Sequence, residues 1–231
     1  MIILIASQKG GCGKSTIAAN LSAWLANQNR DVVLVDSDRQ STSANWANDR
    51  IENVNLKKVN CVQKYDNIRE TLLDLAKRYE FVVVDAAGRD SREMRTGLLA
   101  SDILVVPFRC SQPDLDTLPY MKRVITEALD INQSMKVYGL LTIAPTNPVI
   151  NEVNEAKEYF SDFPELKLLN SVICDRKVYR DVMSYGIGVS ELDNEKAIDE
   201  INSLAEELLN LKGNYKNIPK FKLQRKGYEN A

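Results

Sequence analysis

Short apolar runs alternate with helical patterns from residue 2 to about residue 210, and that alternation leaves few folds open. The runs Ile2–Ala6, Val32–Val35, Phe81–Val84, Ile103–Val106, Val137–Ile143 and Leu168–Cys174 are mostly continuous, as strands buried on both faces of a parallel sheet require. Between them Ile17, Leu21, Trp24, Leu25 and Gln28 follow a 3.6-residue period. Ile68, Leu72, Leu75 and Tyr79 do the same, as do Leu118, Met121, Ile125 and Leu129. The pattern predicts one α/β domain over residues 1–211, a doubly wound, mostly parallel sheet flanked by helices with right-handed crossovers. Residues 212–231 form a basic tail, with six Lys or Arg against the single acid Glu229, and Gly213, Pro219 and Gly227 break any helix there. A solvated terminus and a nucleic-acid or partner contact both fit that composition.

Composition removes whole classes of chemistry. The chain has no histidine, which excludes an imidazole base and the Ser-His-Asp and Cys-His arrangements. Its four cysteines (Cys12, Cys61, Cys110, Cys174) form no CxxC pair, against a zinc site, a shared iron–sulfur cluster or a disulfide framework. The net charge is −2, so any nucleic-acid contact must come from a local patch. No apolar run approaches the roughly 18 residues that span a bilayer, and the chain is expected to be soluble. Met1 leads straight into Ile2-Ile3-Leu4-Ile5, which reads as a strand and not as a signal peptide.

Between the first strand and the first helix lies Lys9-Gly10-Gly11-Cys12-Gly13-Lys14-Ser15-Thr16. Gln8 stands where the common GxxxxGK[ST] pattern has its first glycine, so this is a variant of that loop. Glycines let the backbone approach an anion, successive N–H groups point inward, and the following helix contributes its positive end. Lys14 is placed to reach β- and γ-phosphates and the Ser15 hydroxyl to ligate Mg²⁺. Two further strand ends carry acids: Asp36-Ser37-Asp38, and Asp85 followed by Ala86-Ala87-Gly88. Carboxylates there face the same crevice as the loop, where an acid holds a Mg²⁺ water or orients an attacking water.

The loop resembles the deviant Walker A motif of the ParA/MinD superfamily of P-loop ATPases. Val33-Leu34-Val35-Asp36-Ser37-Asp38-Arg39-Gln40-Ser41 resembles the Asp-x-Asp-Pro-Gln string of that superfamily, with Arg39 in place of the proline. The stretch from Arg176-Lys177-Val178-Tyr179 to Gly188-Val189-Ser190-Glu191 is similar to a late motif of the partition ATPases. The likeness covers about residues 1–210, and length and the absence of an N-terminal helix-turn-helix segment favour the small plasmid-partition branch resembling ParF.

The resemblance implies ATP and Mg²⁺ as cofactors and ATP hydrolysis as the activity. It makes Lys9, Lys14 and Asp38 the catalytic set, Lys9 crossing a dimer interface to the partner's phosphates and Asp38 positioning the water. Gly10, Gly11, Cys12, Gly13, Lys14, Ser15 and Thr16 would bind the nucleotide, with the Cys12 side chain read as filler, and Arg176 would lie near the adenine. The Thr142 to Asn147 stretch is a second base-side candidate. Ser15, Asp36 and Asp85 would serve the metal. Implied partners are a second copy in an ATP-dependent homodimer, possible higher-order assemblies, non-specific duplex DNA and a centromere-binding ParB-like protein, in a cytoplasmic, nucleoid-associated setting. DNA contact falls to late basic residues such as Lys177, Arg180 and the tail lysines. The alternative is a MinD-like membrane-cycling ATPase, disfavoured because Pro219 and Gly227 interrupt a C-terminal amphipathic helix. Lys9 speaks against a third reading, a small-molecule ATP-dependent synthetase. The Pro113-Asp114-Leu115-Asp116 helix start lies near self-association surfaces in the small partition ATPases.

Overall fold

In the computed structural model, which describes residues 1–147, 149–214 and 218–221, the apolar runs lie side by side as one parallel sheet. The elements follow in chain order as β1 (Ile2–Ile5), α1 (Lys14–Asn27), β2 (Val32–Ser37), α2 (Thr42–Glu52), β3 (Asn60–Gln63), α3 (Arg69–Leu75), β4 (Phe81–Ala86), α4 (Arg92–Leu98), β5 (Ile103–Arg109), α5 (Gln112–Leu115), α6 (Leu118–Leu129), β6 (Lys136–Ala144), α7 (Glu152–Phe160), β7 (Lys167–Cys174), α8 (Lys177–Met183), a 3₁₀ turn at Val189–Glu191, and α9 (Glu195–Leu209). The sheet has the order β3-β2-β4-β1-β5-β6-β7, every neighbouring pair parallel.

Alternate strand residues feed two cores. Ile3 and Ile5 of β1 face a cluster with Leu21, Trp24 and Leu25 of α1, Trp46 of α2, and Ile201 and Leu204 of α9. Ile2 and Leu4 face the opposite cluster, with Leu72, Met94, Met121 and Phe160 from α3, α4, α6 and α7. Both faces are thus covered, which is why the central strands read as unbroken apolar runs. Trp24 and Trp46 are core residues, as their helical phase predicts, and each indole N–H is satisfied, on Asn202 Oδ1 (3.1 Å) and Ile187 O (3.0 Å).

The helix ends explain the element boundaries. Gly13 (φ +88°) turns the chain into α1, and Asn29 (φ +57°) stops it in the left-handed conformation that closes many helices. Ser91 caps α4 by accepting from Met94 N (3.1 Å), and Asn194 caps α9 by accepting from Ala197 N (3.1 Å).

The six expected strands are present with ends moved by up to three residues, and β3 is a seventh at the sheet edge. Among the described residues no helix is long and apolar enough to cross a membrane. Of the basic tail, Lys216, Lys222, Arg225 and Lys226 lie outside the described residues, as do Leu223, Gly227 and Tyr228. Lys220 is described: its Nζ donates to Ser190 O (3.2 Å) and Leu192 O (2.7 Å), while Phe221 N donates to Glu191 O (2.7 Å).

Candidate nucleotide and metal site

Beside β1 the strand order reverses direction: β2 and β4 lie on one side, β5 on the other. A crevice beyond the strand ends at such a point is where open α/β sheets bind ligands. The segment after β1 fills that position, and a cavity of about 650 Å³ opens over it. Its lining includes Gly10, Gly11, Gly13, Lys14, Ser15 and Thr16, six of the seven loop residues expected to bind nucleotide. The seventh, Cys12, is fully buried, with Sγ 2.9 Å from Ser7 Oγ, so its side chain fills space beneath the loop. Gly11 adopts φ +73° and Gly13 φ +88°, conformations that side-chain-bearing residues rarely adopt. The Lys14 ammonium donates to Lys9 O (3.1 Å) across the loop.

The acids divide into different roles. Asp38 lines the cavity, and its Oδ1 accepts from Gln40 N (3.0 Å). Asp36 is fully buried and uses both oxygens on backbone donors, Asp38 N (3.0 Å) and Ala44 N (2.7 Å). It therefore fixes the turn carrying Asp38 and the start of α2. Burial raises its pKa above the usual carboxylate range, against those backbone bonds. Asp85 is also fully buried; its Oδ2 accepts from Ser43 Oγ (2.7 Å), while among the described residues its Oδ1 has no hydrogen-bond partner. Burial, working against the Ser43 and Ser15 hydroxyls that favour the charged form, pushes its carboxyl up to about 7.

That orphaned oxygen beside the Ser15 hydroxyl suits a hydrated Mg²⁺, which takes few protein ligands and keeps waters and phosphate oxygens. Among the described residues no group of three or more His, Cys, Asp or Glu could hold a metal unaided.

Lys9 does not line the cavity; its ammonium stands 3.7 Å from Asp114 Oδ2 and the side chain is 40% exposed. Arg176 lines the far wall with Tyr179, held by Glu200 through Nε–Oε1 (2.8 Å) and Nη2–Oε1 (2.7 Å). Thr142 lines the same cavity, but its hydroxyl donates to Cys12 O (2.8 Å) and thus serves the loop. Gly88, Ser43 and Arg109 also touch the loop or its acids and were not singled out by sequence pattern. Only Gly88, by its place after a strand-end acid, carried a local signal.

The fold and the loop define a P-loop nucleotide-binding protein. Residues 3–199 match the CobQ/CobB/MinD/ParA nucleotide-binding domain, and the chain belongs to that family. Within that family it is a ParA/MinD-type ATPase.

The chain is similar to the maintenance of carboxysome distribution protein A of Halothiobacillus neapolitanus, 26% identical over 90% of this chain and 95% of that protein. It is also 26% identical to the sporulation initiation inhibitor protein Soj of Bacillus subtilis, over 82% of this chain and 86% of that one. Among solved structures, a plasmid partition protein of Borrelia burgdorferi bound to AMPPNP superposes with a TM-score of 0.67 at 20% identity, covering 91% and 99% of the two chains. MinD of Pyrococcus horikoshii with Mg-ADP superposes with 0.66 at 20% identity, covering 89% and 94%.

Proposed function

We propose that this protein is a DNA-segregation ATPase whose ATP-bound dimer binds duplex DNA without sequence preference and whose hydrolysis, stimulated by a centromere-binding partner, releases it. The observation that carries the reading is Lys9: it is a loop lysine that does not line its own cavity and is half-exposed beside Asp114. Such a lysine is available to a second copy's phosphates, which makes the nucleotide part of a dimer interface. Similarity to Soj and to the chromosome partitioning protein ParA of Myxococcus xanthus supports the segregation role.

The chain's own residues have separable tasks. The loop N–H groups and Lys14 bind the phosphates, Ser15 with Asp85 holds Mg²⁺, and Asp38 orients the attacking water. Mg²⁺, when bound, neutralises phosphate charge as it develops. Arg176 and Tyr179 border the base end. Among the described residues Lys177 and Arg180, 82% and 67% exposed, pair with Asp181 (3.3 Å) and Asp175 (2.6 Å). Surface pairs of that kind are weak, so a DNA phosphate can replace the carboxylate.

The test is binding to arbitrary duplex DNA with ATP, ADP or no nucleotide, across a salt series. Binding by the ATP state alone, falling steeply with salt, is the expected result. Binding to anionic liposomes with ATP and none to DNA would instead establish the membrane-cycling output.

A further inference from the structure

The carbonyl side of the phosphate loop is held as firmly as its N–H side is left open. Among the described residues the N–H groups of residues 10–16 donate to no backbone carbonyl beyond the loop and its helix, as an anion cradle requires. Three of the opposing carbonyls are taken. Lys9 O accepts from Ser7 Oγ (2.9 Å) and Lys14 Nζ (3.1 Å). Gly11 O accepts from the Arg109 guanidinium, from Nε at 3.0 Å and from Nη2. Cys12 O accepts from Thr142 Oγ1 (2.8 Å), a hydroxyl that also has Phe108 O at 3.1 Å. Arg109 ends β5 and Thr142 lies opposite it in β6, so two register partners reach two successive carbonyls of the loop.

In a trans peptide the C=O and the following N–H point in opposite directions. Holding Gly11 O on Arg109 therefore turns the Cys12 N–H the other way, and holding Cys12 O on Thr142 turns the Gly13 N–H. These peptides adjoin Gly11 and Gly13, whose missing Cβ leaves them the freest in the loop to rotate. A charged donor on a carbonyl makes a strong bond and further polarises the peptide it holds.

We infer that Arg109 and Thr142 are positioning residues for the nucleotide reaction: they pin the 11–12 and 12–13 peptides with their N–H groups turned toward the phosphates. Nothing in the 9–16 segment encodes this, because the two clamps lie 98 and 130 residues further along the chain. The inference rests on the nucleotide-binding reading of the cavity.

Calorimetric titration of the full chain with ADP tests it, using Arg109→Met, Arg109→Lys, Thr142→Val and Thr142→Ser, with melting temperatures taken without nucleotide. Arg109→Met and Thr142→Val are expected to weaken ADP by about tenfold or more, the loss of one charged or buried hydrogen bond. Thr142→Ser restores the hydroxyl and with it affinity within about threefold of wild type, and Arg109→Lys regains part of its loss. Arg109 is exposed, so Arg109→Met should melt like wild type while binding poorly, a split that a merely structural role would not give. Wild-type ADP affinity in Arg109→Met, or no rescue by Thr142→Ser, overturns the pinning alone. Failure of the wild-type chain to bind ADP overturns the nucleotide reading, and the pinning with it.

Discussion

Gly88 lies directly over Lys14: a methyl group built on it would stand 2.7 Å from Lys14 Nζ, 2.9 Å from Gly10 Cα and 3.0 Å from Lys9 O. The ammonium could swing aside, but the other two atoms are backbone of the phosphate loop, so a side chain at 88 must displace the loop itself. Gly88 also follows Asp85 by three residues, which ties the segment after β4 to the floor of the cavity. Gly88→Ala is therefore expected to lower ATP turnover by at least about tenfold, since displacement of a reacting group by an ångström costs on that order or more. Phosphate release at saturating ATP measures it, and wild-type turnover would show that the loop yields freely.

Lys14 and Asp38 line the same cavity but should fail in different ways. Lys14 is the buried charge on the loop, so Lys14→Ala is expected to abolish measurable ATP binding. Asp38 faces the cavity from the turn that Asp36 fixes, and Asp38→Ala should bind ATP within about threefold of wild type while hydrolysis stops. Equal nucleotide affinity in wild type and Lys14→Ala would refute the site assignment.

The Lys9–Asp114 pair, 3.7 Å apart, carries its own expectation. Asp114 also accepts from Arg109 N (3.4 Å) and Ser111 Oγ (3.3 Å), so it is engaged at the start of α5 whether or not Lys9 is present. Lys9→Ala should leave ADP affinity within about twofold of wild type and remove ATP-dependent dimerisation, the signature of a group used only across an interface. Light scattering of the ATP-bound variant decides it; a wild-type dimer would disprove the trans role.

What the sequence revealed of all this follows from how local each signal is. The central strands were legible because residues such as Val82, Val83 and Val84 are buried on both faces and leave an unbroken apolar run. β3 was not, because Asn60-Cys61-Val62-Gln63 is a short edge strand, exposed or half-buried throughout, that pairs with β2. The phosphate loop, Asp38 and Asp85 announced themselves by position after strands. Asp36 was read as metal support; that its carboxylate also accepts from two backbone N–H groups is a feature that spacing cannot disclose. Arg109 and Ser43 escaped, and Thr142 was read on the base side and not as a support of the loop, because each acts on a partner at least 42 residues away and the sheet order brings them together.

The same long-range logic sets the cost of breaking the buried ion pair between α2 and the late 3₁₀ turn. Arg50 and Glu191 are both fully buried and bonded twice, Nη1–Oε2 at 2.9 Å and Nη2–Oε1 at 2.6 Å. Arg50 also donates to Lys57 O (2.7 Å) and Gly186 O (3.1 Å), while Glu191 accepts from Gly188 N (2.8 Å) and Asn27 Nδ2 (2.9 Å). Gly186, at φ +64°, passes so close that a Cβ on it would fall 2.2 Å from Arg50 N. Arg50→Met strands the carboxylate in the core and should destabilise the fold by about 3–5 kcal/mol in urea unfolding. Arg50→Met/Glu191→Leu removes the stranded charge and should regain part of that loss, leaving the donors of Gly188 and Asn27 unmatched. A single-variant loss below about 1 kcal/mol would mean that water reaches Glu191, and the pair would then be no more than a surface bridge.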